Sequence, residues 1–451
     1  MSLENRIESV FSDLFPINRS LTGKGIEETF NYLLKHFLPN GEVKSIFSGT
    51  QVFDWVVPNE WNVDDGYIVN GEGEKIVDFK ESNLHVMSYS DSVDKVVNLD
   101  ELLKHTYTLP KYPDRIPYRT SYYNKNWGFC CAYNLIKSEK FVPPFKVFIQ
   151  SSFNSKGSLK WLECLKKGHT KKEILISTYC CHPSLANDNL SGIVLAVFLF
   201  EYLSQLDTKY TYRLVIAPET IGAISFLSQA NTKNIIGGMV LSCVAGPDKI
   251  SIKEGFDVNH FMNESAHLAI RSHSKNDYLT YPFVPNGSDE RQYSTPGFRI
   301  VTPSIHKSKY YEFNQYHTSA DNLDFISAKS LLESFEVYKS WIGLIESYCY
   351  PKRTNQFCEF QLGKRDLYPQ VGGTINQEAH IENERGKHEG MLDFGDKVDL
   401  SAAHLDAFHW LMHLADGSNS NFDIAKRSKL DIKIVNQAIE AMFQKDLLEL
   451  L

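Results

Sequence analysis

The 451-residue chain predicts an α/β protein whose core is a mostly parallel sheet, and three features of the sequence carry that expectation. From about residue 146 to 350, strand-like runs (KVFIQSSF, EILISTY, RLVIAP, GGMVLSCV) alternate with helical stretches such as IVLAVFLFEYLSQL. Strands parted by helical segments of about 10 to 15 residues lie parallel, because the chain must cross back over the sheet between them. Length is the second feature: at roughly 100 to 200 residues per domain, the chain holds two to four domains. Third, 42% hydrophobic, 23% charged and 13% aromatic residues make a globular balance, with enough bulky side chains to offset the entropy of ordering.

Each element follows from local pattern. Residues 24–38 (KGIEETFNYLLKHFL) place apolar side chains at helical spacing, and Pro39, Asn40 and Gly41 stop them. From about 52 to 145 the pattern changes to short alternating strands, turn signals at Gly71-Glu72-Gly73, Pro110 and Pro113, and many aromatics, a β-rich module set into the α/β unit. Residues 361–390 turn polar (GKRD, QVGG, ENERGKHEG) and read as a linker. The tail from 401 to 451 holds three helical segments at the spacing of a helix-turn-helix or winged-helix module. The expected organisation is an α/β domain over 1–50 and 136–355, an inserted β-rich domain over 51–135, a linker over 356–390 and a winged helix over 391–451.

Charge and cysteine usage narrow the partners. Forty-seven Lys+Arg against 55 Asp+Glu give −8, which offers no basic field for nucleic acid or an anionic membrane surface. In the tail, residues 391–451 carry six basic and ten acidic side chains, a balance of −4 that opposes phosphate contact despite the helix-turn-helix spacing. The longest apolar run, Ile193 to Phe200, is far shorter than the ~20 residues a membrane-spanning helix needs, and it reads as a buried core helix. The acidic, amphipathic N-terminus shows no secretory signal pattern. Eight cysteines, with vicinal pairs Cys130-Cys131 and Cys180-Cys181, fit neither a disulfide framework nor a C-x-x-C motif, and point to reduced thiols in a cytoplasmic protein.

The chemistry concentrates in residues 176–200, ISTYCCHPSLANDNLSGIVLAVFLF, where a strand ends in a loop carrying His182 and Asp188 and then enters a buried helix. In open α/β sheets, sites collect beyond the carboxyl ends of strands, and a neutral imidazole with a carboxylate suits Zn²⁺ or a similar ion. Taken alone, those two residues are better explained by a loop or buried histidine and by a turn, Asn187 to Ser191, that caps the helix. Three further features fall at strand ends: RLVIAPETIG with Glu219, GGMVLSCVAG, and FNQYHTSADNLD with His317 and Asp321.

With these blocks the sequence resembles the zinc-dependent aminopeptidases of the bacterial leucyl-aminopeptidase and glutamate-carboxypeptidase kind. Within that family it is most similar to an aminopeptidase-like subgroup with a β-rich insertion and a C-terminal winged helix. The blocks CCHPSLANDNLSG, PETIG, GSDERQYSTPGF and YHTSADNLD carry the likeness, with PNEWNV and IPYRTSYYNKNWGFC in the insertion. The resemblance implies an aminopeptidase-like (phosphorylase/hydrolase-like) catalytic domain, His182 and His317 as ligands of two metals, Asp188 bridging them, Glu219 as general base, and a cis Asp188-Asn189 peptide bond. A divalent ion lowers the pKa of its water toward ~7 and polarises a carbonyl, and a nearby carboxylate such as Glu219 then moves the proton.

The sequence departs from the family at both remaining carboxylate ligands: Thr220 stands for the second glutamate, and Ser242 or Cys243 for the lone aspartate. Ser184 replaces the aspartate that orients the first histidine. One ion or two, a softer set with Cys181 or Cys243, or replacement ligands Asp289 and Glu290 are the open consequences, with Glu290 alternatively pairing with Arg291. Tyr316, Asp289 and Arg291 are the candidate substrate-binding residues. Asp321 either orients His317 or caps a helix, and Arg119 and Arg291 either hold a substrate anion or form structural salt bridges. The aromatics Trp55, Trp61, Tyr118, Tyr122, Tyr123 and Trp127 line a sugar or peptide cleft or form core. The leading expectation is a cytoplasmic metal-dependent amide hydrolase acting on a small peptide or N-acylated small molecule, with one or two zinc ions, no nucleic-acid or membrane partner, and self-association left open. The alternatives are a deacylase or amidase on a modified sugar or amino acid, and a degenerate peptidase fold serving as a binding or scaffold protein.

Overall fold

A computed structural model describes residues 2–121, 123–274, 276–368 and 402–451. The chain divides into two units, 1–342 and 343–451. The first contains a five-stranded sheet built from β1 (Glu42–Phe47), β2 (Ser158–Lys166), β3 (Glu173–Tyr179), β4 (Thr211–Ala217) and β5 (Ile235–Leu241), in the order β1-β2-β4-β3-β5. β3 lies between parallel neighbours β4 and β5, while β1 and β2 add an antiparallel edge, so the sheet is mixed around a parallel centre. All seven residues of β3 are buried, as expected for a strand covered on both faces.

Helix α1 (Ser191–Ser204) leaves the β3 loop and buries every residue from Ser191 to Phe200, the run read as a core helix. Gly192 is required at its start: a Cβ there would lie 2.4 Å from Asn189 Oδ1 and 2.6 Å from the Leu241 carbonyl. Helix α2 (Ile221–Gln229) follows β4 and supplies Ile221, Ala223 and Phe226 to the core that also holds Trp161 and Val215.

The run at 145–154 corrects the expected strand order. Phe145–Asn154 does not open the five-stranded sheet but pairs antiparallel with Glu60–Val69 and Val93–Val97 in a separate four-stranded sheet. Its alternation explains why: Phe145, Val147 and Ile149 face a core with Ile68, Val77 and Phe129, while the residues between them face outward, the period of a half-solvated antiparallel strand.

The second unit holds helices Ala402–Leu414, Asn421–Ser428 and Ile432–Phe443, with a ribbon pairing Pro351–Arg353 to Leu448–Leu450. Ser420 and Asp423 form a reciprocal capping box and Asp431 caps the last helix. Of the stretch read as a linker, Leu362 and Leu367 are buried in this unit's core with Phe408 and Leu411, whereas its remainder from 369 and the expected domain start at 391 lie outside the described residues.

Candidate metal centre

The site is assembled at the carboxyl ends of β3, β4 and β5. Past Tyr179 the chain turns through His182 to Asp188, and the Asp188-Asn189 peptide bond is cis, as the resemblance implies. The Asn189 side chain pins this loop to the sheet: its amide donates to Thr178 Oγ1 (2.9 Å) and the Tyr179 and Leu241 carbonyls (3.0 and 3.2 Å), while its oxygen accepts from Gly192 and Cys243 N–H. Asp321 holds the other side, accepting the N–H of Asn187 at 2.6 Å on Oδ1 and of Asp188 at 2.9 Å on Oδ2. Asp321 thus fixes the backbone of the carboxylate-bearing loop, and among the described residues it makes no hydrogen bond to His317.

These constraints bring His182, Asp188 and His317 together, with one donor atom from each within 4.8 Å of the others. The two imidazole centroids are 5.2 Å apart. His317 Nε2 faces Asp188 Oδ2 at 2.9 Å, yet both buried atoms lack a properly aligned hydrogen bond among the described residues. Burial first, then the charge of His317, hold His182 down at about 4 against the pull of Asp188, so its imidazole is neutral with a lone pair to give. Burial works to raise the Asp188 carboxyl, but His182, His317 and the Tyr179 hydroxyl outweigh it and keep the group at about 2. A neutral His182 imidazole, a His317 ring nitrogen and an ionised carboxylate, meeting at buried atoms without aligned partners, fit a divalent cation.

Glu219 stands next to this group, with Oε2 3.9 Å from His182 Nε2. Burial first, then Asp289 and Asp188, push its carboxyl well above the ordinary value. The turn that presents it is braced by Asp289, which accepts the Thr220 N–H at 2.7 Å, and by Arg291, which donates to Thr220 Oγ1 at 2.8 Å. Thr220 sits at φ 64°, a conformation that needs such bracing in a β-branched residue. Glu290 does not pair with Arg291: it is buried against Lys253 Nζ (2.5 Å) and the Tyr310 hydroxyl (3.0 Å). Neither Arg119 nor Arg291 forms a salt bridge among the described residues; Arg119 donates to the Tyr118 carbonyl.

Tyr316 stacks on His317 at 3.9 Å and 13°. Ser184, in place of an orienting aspartate, is turned away to the Phe15 carbonyl and Asn83. Ser242 bonds the Tyr179 hydroxyl at 2.7 Å, and Cys243 Sγ lies 3.9 Å from Asp188 Oδ1. One site residue escaped sequence reasoning. Tyr179, whose hydroxyl donates to Asp188 Oδ1, was detectable as the last residue of the strand leading into the loop. Tyr118, one of the aromatics read as cleft or core, has its ring 5.1 Å from both His182 and His317. Of the other aromatics, Trp61 stacks on buried Tyr89, Trp127 stacks on His105, and Trp55 pairs with Tyr123 at the surface, while Tyr122 lies outside the described residues.

The fold is that of an aminopeptidase-like protein. A zinc aminopeptidase from Bacillus subtilis has a similar fold, with a TM-score of 0.52 and 11% identity over 76% of this chain and 95% of the other. The likeness is much closer to the crystal structure of a candidate peptidase from Clostridium acetobutylicum, with a TM-score of 0.85 and 39% identity over 99% of this chain and 96% of that one. A Clostridium acetobutylicum protein named for polysaccharide biosynthesis and for an aminopeptidase-like domain is 40% identical over 446 residues, 98% of this chain and 96% of its own length. The chain belongs to the family described as a domain of unknown function, DUF4910, whose model matches residues 8–348.

Proposed function

We propose that the protein is a metal-dependent amide hydrolase in which His182, Asp188 and His317 hold a zinc ion and Glu219 is the general base. One observation carries the reading: two histidines and an ionised carboxylate from two separate loops converge, with His317 Nε2 and Asp188 Oδ2 facing each other 2.9 Å apart and without aligned hydrogen bonds. An ion held there supplies Lewis acidity to a substrate carbonyl and to water. The protein's own share is proton movement. Glu219, partly buried and held above its ordinary carboxylate range, takes a proton from the attacking water and returns it to the leaving nitrogen. Tyr316, Asp289 and Arg291 border the same turn and stacking surface, and Tyr118 walls the site between the two imidazoles.

The substrate is a small peptide or an N-acylated small molecule. A second reading, a deacylase or amidase on a modified sugar, is favoured by the polysaccharide-biosynthesis name of the 40% identical relative. The eight free cysteines support a cytoplasmic protein, and no helix among the described residues is long and apolar enough to cross a membrane. The second unit is a winged-helix-like packing module that does not hold duplex DNA, in keeping with its net negative charge. A zinc-supplemented screen of aminoacyl, dipeptide and N-acetyl-sugar amides, run beside elemental analysis, tests the function. Protein that neither retains nor takes up zinc and cleaves none of them would leave the scaffold reading in its place.

A further inference from the structure

A carboxylate that bridges two ions gives one oxygen to each, but the two oxygens of Asp188 meet different surroundings. Oδ2 faces His317 Nε2 at 2.9 Å and has no aligned hydrogen bond among the described residues, so it is open to an ion. Oδ1 is already engaged, because the Tyr179 hydroxyl donates to it. Tyr179 ends β3 and is 2% exposed, and its ring meets the His182 ring edge-on at 5.3 Å. One side chain therefore touches two of the three candidate ligands. The phenol is held in turn by Ser242, whose Oγ lies 2.7 Å from the Tyr179 oxygen. With the phenol proton directed at the carboxylate, Ser242 is the donor of that bond. Ser242, Tyr179 and Asp188 are all buried, so water does not compete for this series of bonds.

The supply of donors sets a second, independent limit. Among the described residues, the only close group of three His, Cys, Asp or Glu donors that contains Asp188 is the one with His182 and His317. The neighbours of Oδ1, the Tyr179 phenol and the Cys243 thiol at 3.9 Å, are neither imidazole nor carboxylate. The other close group, Cys181, His182 and Glu219, draws on the same imidazole, and a neutral imidazole has one lone pair to give. Without it two donors remain, fewer than the three protein ligands of catalytic zinc sites.

We propose that Tyr179 makes the centre mononuclear: by holding Oδ1 it leaves Asp188 a ligand through Oδ2 alone, so that His182, Asp188 and His317 take a single ion. Tyr179 is a positioning residue, acting on the ion through the carboxylate it orients. The proposal rests on the metal-centre reading but does not depend on hydrolysis. Its consequence for the reaction is that Glu219 works beside one Lewis acid, with no second ion to share the charge.

The test uses the full chain, stripped with a chelator and reloaded with Zn²⁺ or Mn²⁺ alone. Elemental analysis after loading with excess Zn²⁺ and dialysis is expected to give one ion per chain. X-ray absorption at the zinc edge is expected to lack metal-to-metal scattering at about 3.5 to 4 Å, the spacing of two-ion sites. Electron paramagnetic resonance of the Mn²⁺ form is expected to show an isolated ion. Tyr179→Phe keeps the ring against His182 and removes only the hydroxyl. It is expected to weaken zinc about 10- to 100-fold in competition with a chelator, as loss of a residue that orients a ligand does. It is also expected to change the zero-field splitting of the Mn²⁺ signal, which a merely structural role would leave alone. Ser242→Ala, which removes the donor behind the phenol, is expected to show a smaller loss in the same direction. Two ions per chain, or a coupled pair of Mn²⁺ spins, would overturn the proposal while leaving the reading of the site as a metal centre intact. Unchanged zinc affinity and an unchanged Mn²⁺ signal in Tyr179→Phe would overturn the role of the hydroxyl. A chain that takes up no ion would sink both the proposal and that reading. If Tyr179→Phe does not fold, the ion count of the unaltered protein and the affinity of Ser242→Ala decide the question.

Discussion

Asp321→Asn tests whether the metal loop is held in place by a buried charge. Asp321 is fully buried and accepts the N–H groups of Asn187 and Asp188, one on each oxygen, at 2.6 and 2.9 Å. Asparagine keeps the shape but turns one acceptor into an NH₂ donor, which then faces an N–H. Losing a hydrogen bond to a charged group costs roughly 1.5 to 3 kcal/mol, and the stranded buried N–H adds about 1 to 3 kcal/mol, so the variant should lose about 3 to 5 kcal/mol. Because Asp188 is one of the two residues released, zinc affinity should fall about 10- to 100-fold, the usual effect of removing a residue that orients a ligand. Urea unfolding of the metal-free chain and zinc competition with a chromophoric chelator read the two effects. There is a competing state. Burial pushes the Asp321 carboxyl up to about 8, against the backbone N–H groups that favour its anion. A protonated acid would be matched closely by asparagine. A loss under about 1 kcal/mol with unchanged zinc affinity would refute the argument and show that the loop is held by the neutral acid.

Three further outcomes follow from the same structure. Glu219→Gln should reduce hydrolysis by about 10² to 10⁴ with metal content largely retained, whereas His317→Ala should lose both; equal metal loss from the two variants would make Glu219 a ligand and remove its base role. Burial holds His306 down at about 3, and its Nδ1 is 2.7 Å from the Ser242 carbonyl. It is neutral in the fold and charged in the unfolded chain below about 6.5, so its contribution is full above that pH and falls toward 3. Urea midpoints should show that His306→Gln removes about 2 kcal/mol of the stability difference between about pH 7.5 and 5, and an unchanged difference would refute this. Lys253→Met alone should cost about 3 to 5 kcal/mol, because it leaves Glu290 buried without its cation. Adding Glu290→Gln should recover at least half of that loss, and a purely additive double variant would show that the pair is not coupled.

The strand-end residues were legible because chemistry and topology coincide there: EILISTY is apolar on both faces, and the polar residues that follow can only sit at the sheet's rim. The same logic placed His182, Asp188, Glu219 and His317 at one edge before any coordinates. It failed where pairing is decided by distant partners. KVFIQSSF reads as a strand from its own residues, yet nothing in it says that Glu60–Val69 and not β3 lies alongside. Glu290 offered a nearby arginine in sequence, but the cation that reaches it is Lys253, 37 residues away. Leu362 and Leu367, spaced among polar residues, gave no sign of the core that encloses them.

The inserted module illustrates the same limit and carries a consequence for the site. His317 has φ 53°, a left-handed conformation that costs a histidine energy unless the surroundings impose it. Those surroundings come from the insertion. The Tyr118 N–H donates to the His317 carbonyl at 2.8 Å, Pro117 bridges to Thr318, and the Ser319 N–H reaches the Ile116 carbonyl at 2.8 Å. Arg115 and Tyr112 extend the contact by bonding the Asn314 carbonyl and side chain at 2.5 and 2.9 Å. The segment from Tyr112 to Tyr118 is thus laid along the histidine loop like an added strand, with the Tyr118 ring against both imidazoles. Backbone pairing of this kind depends on shape and not on residue identity, which is why the sequence of the insertion does not announce it. Its effect is to make this segment part of the proposed metal centre: it holds His317 in a conformation that its own loop would not keep alone, and it sets the Tyr118 ring as a wall beside both imidazoles.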